Sequence, residues 1–420
     1  MKKSSKQKIL RNINYPLLIF TVAFAIVGAF LILDASSISS VLYYKTDSPS
    51  FFFEKQLQWI LLGGVLSLVI LNINTKLYKV LAPFAAIACA GMLFYVYTTQ
   101  KLFSSNVTDV TLSLFGGRFQ PAEFLKIFII MYLGCFFGSW VNKPDKKTSS
   151  MFIPLLISGG SALLVLLGGD FGTACIMLAI IALTLACIPL NKKTIKKIKV
   201  VGIPITFTSV PDNEKWLKRL KILGLVGLFC GVIVLKFGYK VIDDDILKSD
   251  YRLQRLIYTN PCDRYEEVTG SQVCNGYIAM DNGGLQGQGI GNSTQKYLYL
   301  FASHTDFIFP IVIEEFGVIS GILIIFAYMV VIYIILKVAV DANNLQNSII
   351  AYGIGIYFMV HIFINLGGVL GVIPLTGVPL PFLSYGGSFC VSVMCAFAVV
   401  QRIHIETKIS KKQKELNKNN

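Results

Sequence analysis

Charge is scarce in this sequence. Only 15% of its 420 residues are Asp, Glu, Lys or Arg, against about a quarter in soluble domains, which leaves no room for a large soluble domain. Histidine is scarcer still, with 3 in the whole chain, too few to make a His-built metal centre an attractive reading. No Walker phosphate loop, zinc spacing or Ser-His-Asp order occurs. Gly287-Gln288-Gly289-Ile290-Gly291 resembles a nucleotide loop only in its glycines, because no strand precedes it. No fixed-period repeat and no pair of inverted halves is visible, which weighs against a transporter built from repeats.

What is abundant is apolar, at 54% of the chain. Runs near 16–34, 56–73, 80–98, 122–140, 152–169, 171–190, 221–238, 307–337, 349–373 and 388–405 approach the roughly 20 apolar residues that a spanning helix needs. They predict an all-α polytopic membrane protein of about ten transmembrane helices, one membrane domain over 1–420. Lys2, Lys3, Lys6, Lys8 and Arg11 precede the first run as in a secretory signal. That run is too long for a signal core, and Asp34-Ala35-Ser36 does not suit cleavage, so it reads as a retained helix.

Basic side chains set the orientation. The amino-terminal tail, Lys143/Lys146/Lys147, the stretch Lys192–Lys221 and the tail at 406–420 fall on one side when the helices are counted. Short basic loops stay in the cytoplasm, so both termini are expected there. The net charge of +15 is then a topology signal and an attraction to anionic headgroups. A nucleic-acid partner is not expected, because the charge is divided among loops.

Two segments break the rhythm of helix and short loop: a basic cytoplasmic loop at 191–220, read as an interfacial extension of helix seven, and a large extracellular loop at 239–306 between helices seven and eight. Tyr251, Leu253, Leu256, Ile257, Tyr258 and Tyr277 give the second enough apolar surface to fold. It also carries Cys262 and Cys274, in an oxidising setting where a disulfide persists; bonded and free are equally open. The other cysteines sit in apolar runs as small hydrophobes.

Ionisable residues inside or at the rim of spanning helices are costly and mark function by default. In Ser303-His304-Thr305-Asp306, Asp306 is a candidate general base whose proton affinity burial would raise. Thr305 or Asp306 as a helix N-cap is the blander and favoured alternative. Arg118-Phe119-Gln120-Pro121-Ala122-Glu123-Phe124-Leu125-Lys126 puts Pro121 in a first turn and Glu123 on the face of Lys126. That pair either neutralises itself or serves a substrate, and Arg118 is left for an anion. Asp170 in Gly169-Asp170-Phe171-Gly172 is a cap or a second cavity carboxylate at the depth of Asp306. Pro379-Leu380-Pro381-Phe382-Leu383-Ser384-Tyr385-Gly386-Gly387-Ser388 describes a rigid re-entrant turn, either a plain connector or one whose Ser384 and Tyr385 hydroxyls bind sugar or phosphate. Glu314 and Glu315, further along the same helix, point roughly 80° and 180° from Asp306, so the three are not one carboxylate face.

Together these strings resemble the family of shape, elongation, division and sporulation proteins (FtsW, RodA and SpoVE), over nearly the whole chain. The outer-loop part of the match is Gly283-Gly284-Leu285, Gly287, Gly289, Gly291 and Gln295-Lys296, followed by His304-Thr305-Asp306-Phe307-Ile308-Phe309 with Glu314-Glu315-Phe316-Gly317. The resemblance implies a ten-helix peptidoglycan glycosyltransferase that polymerises lipid II at the outer face of the bacterial cytoplasmic membrane. Asp306 is then the catalytic carboxylate, and a class B penicillin-binding protein and other divisome proteins are partners. Arg118, Lys126 and Lys296 become candidates to neutralise the pyrophosphate leaving group, and Glu123, Asp170, Gln295, His304, Ser384 and Tyr385 further substrate contacts. No cofactor is implied as obligatory; a divalent cation, Mg or Mn, stays open. Asn282-Gly283-Gly284 and Gly289-Ile290-Gly291-Asn292-Ser293 look closer to the division branch than to the elongation branch. The chain departs from the family pattern at Ala122, Asn260, Asn275-Gly276 and Ala302-Ser303. A lipid II flippase and a division scaffold are the competing readings.

Overall fold

Each apolar run becomes a helix in the computed structural model of the protein, which describes residues 11–103, 112–114, 117–141, 148–189, 212–237, 254–297, 299–300 and 303–419. In chain order these are α1 Tyr15–Leu42, α2 Phe51–Asn72, α3 Tyr78–Phe103, α4 Pro121–Trp140, α5 Phe152–Leu167, α6 Phe171–Cys187 and α7 Asp212–Phe237. They continue with α8 Val268–Gly283, α9 Ile308–Asp341, α10 Leu345–Val369 and α11 Gly387–Asn419. Among the described residues 7 helices are long and apolar enough to cross a membrane, and α5 and α6 are shorter apolar helices. A small hairpin, β1 Leu112–Leu114 against β2 Gly117–Phe119, interrupts the otherwise helical chain before α4.

Local chemistry sets the helix starts. Asn14 accepts from the Leu17 amide at 3.2 Å and is followed by Pro16 in the first turn of α1. Asn344 accepts from Asn347 N at 2.8 Å at the start of α10. Each side-chain oxygen satisfies an amide that the helix leaves unpaired.

Long-range hydrogen bonds define two ends of the bundle. At one, Lys412 Nζ donates to Asn12 Oδ1 at 2.9 Å, Arg402 Nη1 to Leu71 O at 2.8 Å, and Gln346 Nε2 to Thr75 O at 2.8 Å. Both described termini lie there. The opposite end gathers Asp34, Gln120, Asp170, Ser388 and the described residues between 254 and 307, through bonds described below. The core runs along α4, α10 and α11, where Leu125, Ile130, Ile350, Ile354, Val393 and Val400 are fully buried. By contrast α7 leaves Leu223, Phe229 and Val234 exposed, as a lipid-facing helix does.

Three expectations need correction. The run at 307–337 is not one continuous helix: Gly317 has φ 79° and ψ 167°, which splits α9 into a short half-helix to Phe316 and a long one from Val318. A left-handed backbone suits glycine because it has no Cβ to clash, and here a Cβ would also collide with the Leu285 carbonyl. The half-helix's freed carbonyls are met by the Gly-rich segment: Gln288 N donates to Glu314 O and Gly289 N to Glu315 O, each at 2.9 Å. The wheel angles between Asp306 and the two glutamates therefore do not apply, since Asp306 lies in the turn before α9. Finally, the helix of the 388–405 run does not end at 405; α11 continues through the basic tail to Asn419.

The described part of the 239–306 loop is structured. A 3₁₀ turn, Pro261–Arg264, leads to α8, and a disulfide with S–S 2.03 Å joins Cys262 to Cys274. Lys143, Lys146, Lys147 and most of the 191–220 loop lie outside the described residues; from Asp212 the chain is already helical in α7.

Candidate active site

At the end away from the termini, a closed circuit of contacts surrounds Asp306. Asn365 in α10 donates through Nδ2 to the Asp306 carbonyl at 2.9 Å and to Val378 O at 2.7 Å. This ties the Asp306 turn to the segment leading to Pro379. A Cβ on Gly377 would stand 3.7 Å from Asp306 Oδ2 and 3.2 Å from Arg255 Nη1, while one on Gly172 would stand 3.1 Å from Thr376 O. The Thr376-Gly377 pair thus separates the Asp306 turn from the first turn of α6, which Asp170 caps by accepting from Thr173 N at 2.9 Å. The other Asp170 oxygen accepts from Gln120 Nε2 at 3.1 Å, and the Gln120 amide donates to Ser388 Oγ at 3.0 Å. Tyr385 N closes the circuit by donating to His304 O at 2.8 Å.

Asp306 does not cap α9. The cap position is Phe307, with no side-chain hydrogen bond, and Asp306 Oδ1 instead accepts from Thr305 Oγ1 at 2.8 Å. Burial raises its carboxyl above the usual 3.8, against the opposing pull of the Thr305 hydroxyl, its own backbone amide and the Arg255 guanidinium. A carboxylate in this state is a stronger base than a solvated one.

Along α4 from Gln120 lie Glu123, about one turn on, and Lys126, nearly two. Both are buried; Lys126 Nζ donates to Glu123 Oε1 at 2.8 Å and meets His361 Nε2 of α10 at 3.0 Å. The remaining Glu123 oxygen is buried without a hydrogen-bond partner among the described residues. This buried cation stands nearly two helical turns, roughly 9 Å, along α4 from Gln120; a buried ammonium of this kind can stabilise an anion brought to it.

Lys296 stands elsewhere. Its ammonium sits between Asp34 Oδ1 at 2.8 Å and Glu315 Oε1 at 2.6 Å, so two carboxylates already hold the charge predicted for a pyrophosphate. Glu314 binds the neighbouring loop: its carboxylate accepts from Thr294 N at 3.1 Å, Thr294 Oγ1 at 2.9 Å and Gln295 N at 3.3 Å, and from the Ser293 hydroxyl. Gln295 is buried in that knot, its side-chain oxygen without a partner among the described residues. His304 packs on Phe52, with centroids 4.4 Å apart, and near Tyr385 at 5.8 Å. Burial lowers its imidazole to about 4, which leaves it neutral. The Ser384 hydroxyl accepts from Leu380 N at 2.8 Å within its own turn, which leaves its hydrogen as a donor. Tyr385 is half-buried and stacks edge-on against Phe52 at 5.0 Å. Of Arg118 the structure describes the backbone, opposite Ser113 in the hairpin.

Sequence reasoning left Arg255, His361 and Asn365 without a role. Arg255 is one cation among several in a long loop, and only the fold brings it to Asp306. His361 and Asn365 carried a usable signal, as polar side chains within an otherwise apolar run. Among the described residues no group of three His, Cys, Asp or Glu side chains converges as a metal site.

This architecture has counterparts. The family described as "Cell cycle protein", that of FtsW, RodA and SpoVE, matches residues 15–409. A probable peptidoglycan glycosyltransferase FtsW of Enterococcus hirae is 32% identical, covering 98% of this chain and 99% of its own. The stage V sporulation protein E of Bacillus subtilis (strain 168) is 29% identical over 92% and 95%. Among solved structures, a peptidoglycan synthase complex that coordinates polymerization and crosslinking gives a TM-score of 0.65 at 18% identity, covering 94% of this chain and 98% of that one. The rod shape determining protein RodA of Thermus thermophilus gives 0.60 at 19% identity, over 93% and 96%. At these identities the structural likeness speaks for the fold. The length and identity of the sequence matches speak for descent: the chain belongs to the FtsW, RodA and SpoVE family of cell cycle proteins.

Proposed function

We propose that this protein is a peptidoglycan glycosyltransferase that polymerises lipid II into β-1,4 glycan strands at the outer face of the cytoplasmic membrane, in septal wall synthesis. The observation that carries the reading is the Asp306 turn: a half-buried carboxylate, raised in basicity and flanked by Arg255, on a backbone held by Asn365, with a buried Lys126 further into the bundle. That is the order of groups an inverting transfer needs. Asp306 takes the proton of the acceptor sugar's 4-hydroxyl as its oxygen attacks the anomeric carbon of the donor. The bond to undecaprenyl pyrophosphate breaks on the opposite face, so an α-linked donor becomes a β-linked product with no protein nucleophile. Charge developing on the leaving pyrophosphate is met by Lys126 and Arg255, with Arg118 at the rim.

Ten crossings with both ends in the cytoplasm put this site outside. The common placement of both termini supports an even number of crossings, and the basic loops orient it. A class B penicillin-binding protein is the proposed partner, supported by the synthase complex among the structural neighbours; other divisome proteins follow from a septal role. The Enterococcus relative supports the FtsW branch, with an elongation polymerase of RodA type as the alternative. A flippase reading draws on the buried Glu123–Lys126 pair. It requires labelled lipid II to cross vesicle membranes whether or not Asp306 is intact. The polymerase reading is tested with purified protein and its cognate penicillin-binding protein. Lipid II should become long strands that lysozyme degrades; unchanged lipid II would overturn it.

A further inference from the structure

α10 carries two polar side chains four residues apart, His361 and Asn365, and each grips a different part of the site. Four residues of helix return to the same face, about 6 Å along the axis. Asn365 holds the backbone of Asp306. His361 holds Lys126, and its geometry fixes how.

The imidazole Nδ1 lies 2.8 Å from the Tyr357 carbonyl, which can only accept, so the ring hydrogen is on Nδ1. Nε2 is therefore the lone-pair nitrogen and accepts an N–H from Lys126 at 3.0 Å. The ring is locked in this pose by stacking on Phe389, with centroids 5.0 Å apart, and is fully buried. With Glu123 Oε1 at 2.8 Å as second acceptor, two of the three ammonium hydrogens are committed in fixed directions. Among the described residues the third meets no further acceptor, and the Tyr357 and Phe389 rings flank the ammonium at 5.9 Å and 6.0 Å.

We infer that His361 is a positioning residue for the anionic leaving group: it aims the Lys126 ammonium at the pyrophosphate of a polyprenyl-pyrophosphate ligand, while Asn365 on the same helix face holds the base. The inference rests on the polymerase reading for its ligand. It adds that α10 is the ruler between base and cation, a role that nothing in the reaction chemistry itself assigns.

The test measures binding apart from turnover. Undecaprenyl pyrophosphate is titrated into full-length protein in detergent, for wild type, His361→Phe, His361→Gln, Lys126→Met and the double variant His361→Phe/Lys126→Met. Losing a hydrogen bond to a charged group should weaken binding about tenfold in His361→Phe. His361→Gln, whose amide oxygen can reach the Nε2 position, should recover affinity to within about threefold of wild type. In the Lys126→Met background His361→Phe should have no further effect, because its action passes through the ammonium. A second tenfold loss in that background would mark His361 as merely structural and overturn the proposal, as would unaltered affinity in His361→Phe. A wild type that binds the ligand in this pattern but does not polymerise lipid II would sink the polymerase reading and leave the positioning role standing.

Discussion

Lys296 reaches Asp34 across 262 residues of sequence, its ammonium 2.8 Å from one carboxylate oxygen and 2.9 Å from the other. With Glu315 on its far side, this ion triad joins α1, the Gly-rich loop and the half-helix of α9. Lys296 and Glu315 are nearly fully buried, whereas Asp34 keeps about a quarter of its side chain exposed.

Lys296→Met should therefore act first on stability. Removing the cation leaves a buried carboxylate uncompensated, which costs on the order of 3 kcal/mol. Thermal unfolding in detergent should show a clear fall for Lys296→Met and a smaller one for Asp34→Asn, because Lys296 then keeps Glu315 as its partner. A Lys296→Met protein that unfolds at the wild-type temperature yet fails to polymerise would return Lys296 to the role of leaving-group cation.

Gly377 has φ +70°, between Arg255 and Asp306. Gly377→Ala pays for a left-handed backbone with about 1–2 kcal/mol and pushes on the Arg255 guanidinium at 3.2 Å. The expected outcome is a several-fold loss of polymerisation rate with a well-folded protein, read from single-turnover lipid II consumption against the unfolding temperature.

The acid side of the rate profile should belong to Asp306. The base works only when ionised, and burial raises its carboxyl above 3.8, so activity should fall as pH drops through a limb displaced upward from that value. His304, lowered to about 4, is already neutral across pH 5–8 and should add no imidazole limb there. Initial rates between pH 4 and 8 decide this; a rate that rises on acidification would contradict the assignment.

The proposed topology has its own test. Leu285 and Ile290 are exposed on the Gly-rich loop. Single cysteines placed there should react with a membrane-impermeant maleimide added outside intact cells, and cysteines at the α11 tail should not.

Much of this fold was legible because a spanning helix leaves a one-dimensional trace: about 20 apolar residues in a row. Every predicted run overlaps a helix, from 16–34 within α1 to 388–405 within α11. The break at Gly317 was not legible, because hydropathy is blind to backbone dihedrals and both sides of the break are apolar. Its signal was local, in Glu314-Glu315-Phe316-Gly317, a pair of charges ahead of a glycine. In the site, Asp306, Glu123–Lys126 and Asp170 stood out as charges at helix rims. Arg255 did not, since its place beside Asp306 depends on Gly377, more than a hundred residues away in sequence. Lys296 was recognisable as a special cation, but whether it faces substrate or Asp34 is a tertiary fact.

The most direct test of the central claim compares wild type and Asp306→Ala in one lipid II polymerisation assay, at matched expression and unfolding temperature. Loss of a positioned general base costs about 10²–10⁴-fold; glycan strands should form with wild type and be absent with Asp306→Ala. Strands made by Asp306→Ala at the wild-type rate would contradict the account.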